Sequence, residues 1–282
     1  MIKLKKMIPG AAALVTLLSL AAIPAAGQAH RTADGKPDLS GVWQALNTAA
    51  WDIQDHSGQL GVPPGVGVVE GNDIPYQPAA LAKKKDNFAH RATADLTEAN
   101  CYMPGVPRAT YMPYPFEITQ GTNKIQMSYE VNGASRTIHL DKVDPPPADT
   151  WMGFSQGHWE GKTLVVDVGN FNDRTWFSRA GDFHSDALHV VERFTPITRD
   201  AIRYDVTIED ANVFTRPWKM SMVLYRQLDP NARLMEYKCV ELVEETFLGH
   251  LRRNQLVKHW EGDTISIDIT RKIPAGDKLY QR

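Results

Sequence analysis

"HWEGKTLVVDV", His158 to Val168, is the stretch on which the fold turns. A histidine, a tryptophan and a glutamate beside a glycine look like working chemistry. The stretch recurs, little changed, as "HWEGDTISIDI", His259 to Ile269. Its flanks decide between a catalytic signature and a piece of architecture. In both copies the Glu-Gly pair stands between two alternating runs: "FSQGHW" leads in and "TLVVDV" leads out, then "LVKHW" and "TISIDI". Glycine supplies the positive φ of a tight hairpin, and the tryptophan before it can pack across the turn onto a β-branched residue. The repeat therefore reads as two hairpins, turning at Gly161 and Gly262.

The same alternation extends in both directions. "FEITQ", "KIQMSYE", "RTIHL", "MGFSQGHW", "TLVVDV", "LHVVERF", "AIRYDVTIED", "KMSMVLYRQ", "LMEYKCVE" and "TISIDITR" follow one another after Pro115. Turn signals separate them at Val131 ("VNGA"), Glu160 ("EGK"), Thr198 ("TRDA") and Asp229 ("DPNA"). No long helical pattern lies between strands, so parallel βαβ units are not expected. About ten antiparallel strands predict a closed or nearly closed barrel, because closure removes exposed edges. A two-sheet sandwich is the alternative. Two helices are expected, over 78–92 and 244–255.

The ends of the chain divide it further. Lys3, Lys5 and Lys6 precede an apolar run from about Ala11 to Ile23 and then small residues. That order reads as a secretory signal over 1–29, too short for a confident membrane span. Residues 30–113 read as an irregular extension packed on the barrel, and 114–282 as the barrel itself. The 282-residue chain carries 31 basic and 33 acidic residues, a formal net charge of −2. With no dense basic stripe, nucleic acid is not an expected partner. Cys101 and Cys239 could close one long loop as a disulfide in an oxidising compartment, worth on the order of 4 kcal/mol. Two unpaired buried thiols are the alternative.

The densest polar cluster runs from Asn170 to Phe194 and contains His184, Ser185, Asp186, His189 and Glu192. Strand alternation puts His189, Val191 and Arg193 on one face and Leu188, Val190, Glu192 and Phe194 on the other. The expected chemistry is proton transfer. His184 is the general acid or base, Asp186 its orienting carboxylate, and His189 or Glu209 a second proton-transfer group. Arg193 would steady negative charge. A metal on an H-x-D-x-x-H set, Ser185 as nucleophile, and a purely structural loop are the competing readings. Trp151, Trp176, Tyr129 and Trp218 are candidate walls for a ligand, although such rings more often fill a core. Arg203, Asp205, Thr207 and Glu209 should form a solvated outer face with ion pairs to Arg193. No glycine-rich nucleotide fingerprint, P-loop or HExxH occurs, so hydride or phosphoryl chemistry with the usual cofactors is not expected, and the leading reading uses no organic cofactor and no metal.

Two resemblances add to this. Gly41-x-Trp43 in "DLSGVWQ" resembles the first strand of lipocalin-like barrels, where the tryptophan plugs the base. "CYMPGVPR", "PYPFEITQ", "WMGFSQGHWEGKTLVVDVGNFNDRTWF", "HSDALHVVERF", "TIEDANVFTRPW" and "EYKCVE" resemble, in order, the motifs of a large family of exported bacterial proteins. That resemblance spans roughly Cys101 to Glu241 and implies relatedness without an activity. It is compatible with pairing of Cys101 and Cys239. Lys162 stands where the family's turn often has Asp, an exchange a turn tolerates better than a catalytic acid would.

The combined expectation is an exported, lipocalin-like, mostly antiparallel barrel. It would process a small organic molecule in its cavity as a lyase, isomerase or hydrolase. A non-catalytic periplasmic carrier of an apolar or aromatic ligand is the alternative.

Overall fold

A computed structural model describes residues 30–253. Nine strands close into one barrel: β1 (Gly41–Ala45), β2 (Phe116–Gln120), β3 (Lys124–Tyr129), β4 (Ser135–His139), β5 (Phe154–Glu160), β6 (Thr163–Gly169), β7 (His189–Thr198), β8 (Ala201–Glu209) and β9 (Trp218–Arg226). Each strand alternates, and one residue in two points inward. Ile125, Met127, Tyr129, Val166, Val168, Val190, Phe194, Tyr204, Val206, Met220 and Leu224 fill the interior. At ~25 cal/mol per Å² of apolar surface, such burial is the main stabilising term.

The hairpin reading of "HWEG" holds for its first copy. β5 pairs antiparallel with β6 from Phe154↔Gly169 to Glu160↔Thr163. Gly161 takes φ +60 at the turn, with open space around it. Opposite Trp159 stands Leu164, not a β-branched residue. The second copy lies outside the described residues.

Four expectations need correction. The barrel is mixed, because β4 and β5 run parallel and share only two pairs, Ile138↔Ser155 and His139↔Gln156. The chain leaves β4 at one end of the barrel, returns outside it, and enters β5 in the same direction. The barrel also does not begin at residue 114. β1, from within the expected extension, closes the ring by pairing with both β2 and β9. "LMEYKCVE" is consequently no strand, since β1 already occupies the free edge of β9. The "DPNA" turn forms but leads into irregular chain. "TISIDITR" lies outside the described residues.

Trp43 is buried at the base end of the barrel. Its Nε1 donates to the Leu39 carbonyl (2.9 Å), and the Arg226 guanidinium lies 4.2 Å from its ring centroid. A side chain at Gly41 would collide with that guanidinium, which accounts physically for glycine two residues before the tryptophan.

The opposite end is covered by the extension and by the 170–188 loop. Helix α1 (Pro78–Ala89) falls within the expected 78–92. Short helices α2 (Arg91–Ala94), α3 (Leu96–Ala99) and α4 (Arg108–Tyr111) follow, and α5 (Val243–Arg253) matches the second expected helix to within two residues. Arg108, fully buried, clamps Asp95 through two hydrogen bonds (3.0 and 2.8 Å). Cys101 and Cys239 form a disulfide across 138 positions, tying the segment after the barrel to the extension. No helix among the described residues is long and apolar enough to cross a membrane.

Candidate functional site

His184 sits in the 170–188 loop, 2% exposed, between the rings of Phe171 and Phe177 (centroids 5.8 and 5.4 Å). Its Nδ1 meets the Ser185 carbonyl at 2.8 Å, so Nδ1 carries the hydrogen and donates. Its Nε2 then accepts from the Thr175 hydroxyl at 2.6 Å. Burial holds its pKa below the usual histidine range. A neutral imidazole with both nitrogens engaged has no free lone pair to offer a substrate.

The expected partner does not join it. Asp186 is exposed, and among the described residues no hydrogen bond or ion pair links it to His184. The carboxylate that organises this loop is Asp210, which accepts from the Ser185 N–H (2.6 Å) and Ser185 Oγ (2.9 Å). Ser185 therefore holds the loop to the end of β8.

His189 and Glu209 do meet, but on the outer face of the barrel. His189 Nδ1 lies 3.4 Å from Glu209 and its Nε2 lies 3.4 Å from Asp167, all three side chains being close to half exposed. Arg193 shares that face. Its ion pair is with Glu160 at 2.7 Å, not with the β8 row as expected, while Arg203 pairs with Asp205 along its own strand. No group of three or more His, Cys, Asp or Glu side chains among the described residues could hold a metal ion.

The interior holds a different polar cluster. Arg136 of β4 reaches Glu192 of β7 through two hydrogen bonds, 2.6 and 2.9 Å. Tyr204 of β8 donates to the same carboxylate at 2.5 Å. Arg136 Nη1 lies 3.5 Å from Ser155 Oγ, and its Nε has no partner. Burial and the neighbouring Glu192 charge push the Tyr204 hydroxyl well above its usual pKa. The guanidinium is held firmly charged, because its attraction to Glu192 outweighs the opposing effect of burial. A buried carboxylate needs such neutralisation, since an isolated charge in the core is too costly.

Arg136, its side chain buried, borders a cleft where the wall is weakest. The two-pair ladder of β4 and β5 leaves Ser135, Arg136 and Thr137 without a partner on the β5 side. A cleft of about 320 Å³ lies at this seam. Met103, Trp151, Met152 and Phe154 line it, together with Arg136 and Ser155 from the interior and His139, which stacks on Phe154. Trp151 leans on Tyr102 (4.9 Å, 59°), the residue next to Cys101 of the disulfide. The strand leading into β5 is anchored by Thr150, which bonds Asn170 and Asn172 through the backbone (2.9 and 3.0 Å).

Of the four expected aromatic walls, only Trp151 lines this cleft. Tyr129 is buried inside the barrel near Thr110 (3.4 Å). Trp218 packs edge-on against Phe177 and Phe214. Trp176 is half-buried, its backbone bridged to Phe183. Sequence reasoning missed Arg136, although a signal existed: "SRTIH" alternates, so facing Ile138 inward also faces Arg136 inward.

Comparison with protein-family models and with curated proteins returns no match for this chain.

Proposed function

We propose that the protein binds a small organic molecule with an apolar or aromatic body at the β4–β5 seam, as an exported carrier. One observation carries this reading. The seam cleft joins an aromatic and thioether wall to two polar groups of the barrel interior, Arg136 and Ser155. Its volume of about 320 Å³ falls at the lower end of the ~300–1,000 Å³ typical of ligand pockets. Glu192 already neutralises Arg136, so the ligand need not be an anion. A hydrogen-bond acceptor on an otherwise apolar body suits the cleft best.

The carrier reading is preferred to lyase, isomerase or hydrolase chemistry for a geometric reason. A proton-transfer group must come within hydrogen-bond reach of its substrate. His184 is sealed in a loop, Asp186 points to solvent, and His189 and Glu209 stand on the outer wall. Periplasmic or secreted placement is part of the proposal. The lysine-led apolar start of the chain supports it, and so does a disulfide of a kind that persists in oxidising compartments. No organic cofactor and no nucleic acid enter the proposal.

Titration with the neutral fluorescent ketone 6-propionyl-2-dimethylaminonaphthalene, an aromatic body with a carbonyl acceptor, tests it. Saturable binding is expected, weakened roughly tenfold by Trp151→Ala, or about 1.4 kcal/mol, and unchanged by Trp176→Ala. No saturable binding, or equal loss in both variants, would overturn the site.

A further inference from the structure

At the base end of the barrel a second cleft, of about 430 Å³, lies far from the seam and contains the tryptophan of "HWEG". The β5–β6 turn needs its glycine but does not need that tryptophan. Trp159 is the last inward position of β5 and only half-buried: part of the indole packs with Leu140 on the core, and the remainder lines the cleft. Facing it are Lys36, Asp34 and Asp141. Gln120 forms a fixed wall, its amide already bonded to the Leu39 N–H (2.9 Å) and the Pro37 carbonyl (3.1 Å). The Asp141 carboxylate and the Lys36 ammonium make no hydrogen bond or ion pair with any other described residue.

We infer that this base cleft is a subsite for a neutral sugar ring, with Trp159 as its platform. One cation and two carboxylates give the cleft a net negative charge, which disfavours anions. Three charged groups also make it a poor home for a hydrocarbon, which would strip their water without replacing it. A second cation would be repelled by Lys36. Asp34 already accepts from the Thr32 hydroxyl, so a neutral polyol meets what remains, the Asp141 carboxylate, the Lys36 ammonium and the indole, at once. Its hydroxyls donate to Asp141 and accept from Lys36 through charge-assisted bonds, and its C–H face covers the indole. The site is independent of the seam cleft, so either can fail alone.

The test is a ¹H–¹⁵N titration of the folded chain with maltose, cellobiose and N,N′-diacetylchitobiose, followed at the tryptophan indole N–H signals. At least one disaccharide should give a saturable shift of the Trp159 indole with Kd of about 1 mM, a weak but specific affinity. Asp141→Asn should weaken it roughly fivefold, and Trp159→Ala by at least about tenfold. Trp151→Ala should leave it unchanged. If Trp159→Ala does not fold, the Asp141→Asn and Lys36→Met variants carry the test. No saturable shift with any of the three sugars overturns the inference. So does binding that survives both Trp159→Ala and Asp141→Asn, or both Asp141→Asn and Lys36→Met.

Discussion

Glu192 and Arg193 are neighbours on β7, and each belongs to an Arg–Glu pair of almost the same length. Glu192 meets Arg136 at 2.6 Å, and Arg193 meets Glu160 at 2.7 Å. The first pair is buried inside the barrel, whereas the second is nearly half exposed on its wall. Distance alone would rank them equal. Solvent separates them: water screens the outer pair until little of its attraction is left, while the inner pair offsets a desolvation cost neither partner could bear alone. The two histidines repeat the contrast, His184 sealed and neutral, His189 exposed between two carboxylates.

The largest effect should come from breaking the inner pair. Glu192→Ala leaves Arg136 buried and unpaired, and urea unfolding should show a loss of about 3–5 kcal/mol. The double variant Arg136→Met/Glu192→Leu should recover most of it, because similar volume without charge removes the penalty. A loss under about 1 kcal/mol for Glu192→Ala would erase the distinction between the two faces.

A smaller effect separates the histidines. His184→Gln should cost about 1–3 kcal/mol at pH 7.5, since Thr175 or Ser185 loses its partner. The sign of the pH dependence follows from the depressed pKa of His184. The unfolded chain takes up this proton near pH 6.5 and the folded chain only at lower pH. Stability from His184 is thus present above about pH 6.5 and lost as pH falls through the lower folded value. Asp52 acts in the opposite sense. Burial, with help from Asp182, raises its pKa to about 6, so its contribution is present at low pH and lost as pH rises through about 6. Subtracting thermal melts of His184→Gln from those of the native chain isolates the histidine. His189→Ala, on the outer wall, should cost under about 0.5 kcal/mol at pH 7.5, and a loss equal to that of His184→Gln would break the contrast.

The smallest effect belongs to the outer pair. Arg193→Ala should shift the urea midpoint less than Glu192→Ala or His184→Gln at low salt, and not measurably at 1 M salt. A loss comparable to that of Glu192→Ala would mean that the outer wall is less solvated than its exposure indicates.

The alternation of the strands was legible, and with it the barrel and the inward face of Glu192. A carboxylate flanked by Val190 and Phe194 already demanded a buried partner. The identity of that partner was not legible. Arg136 lies on β4, and only the closed ring brings β4 opposite β7 and β8. The choice of His184 failed for a related reason. A histidine near Ser and Asp looks reactive along the chain, but whether its lone pair is free depends on Thr175, nine positions earlier. The parallel seam was also hidden. Residues 141–151 read as a loop in either direction, and nothing local states that the chain returns to the same end before β5 begins. β1 was legible as a strand through Gly41 and Trp43, yet its role as the closing stave depends on β9.

That closing stave has a consequence for the order of events during synthesis. β1 leaves the ribosome first among the nine strands, and its partner β9 leaves last. Eight strands without β9 would make an open ribbon with a bare edge at each side, its interior arginine and glutamate wet. The ring, the dry interior and the two ends that the clefts depend on therefore come into being together, as the final strand docks against the first.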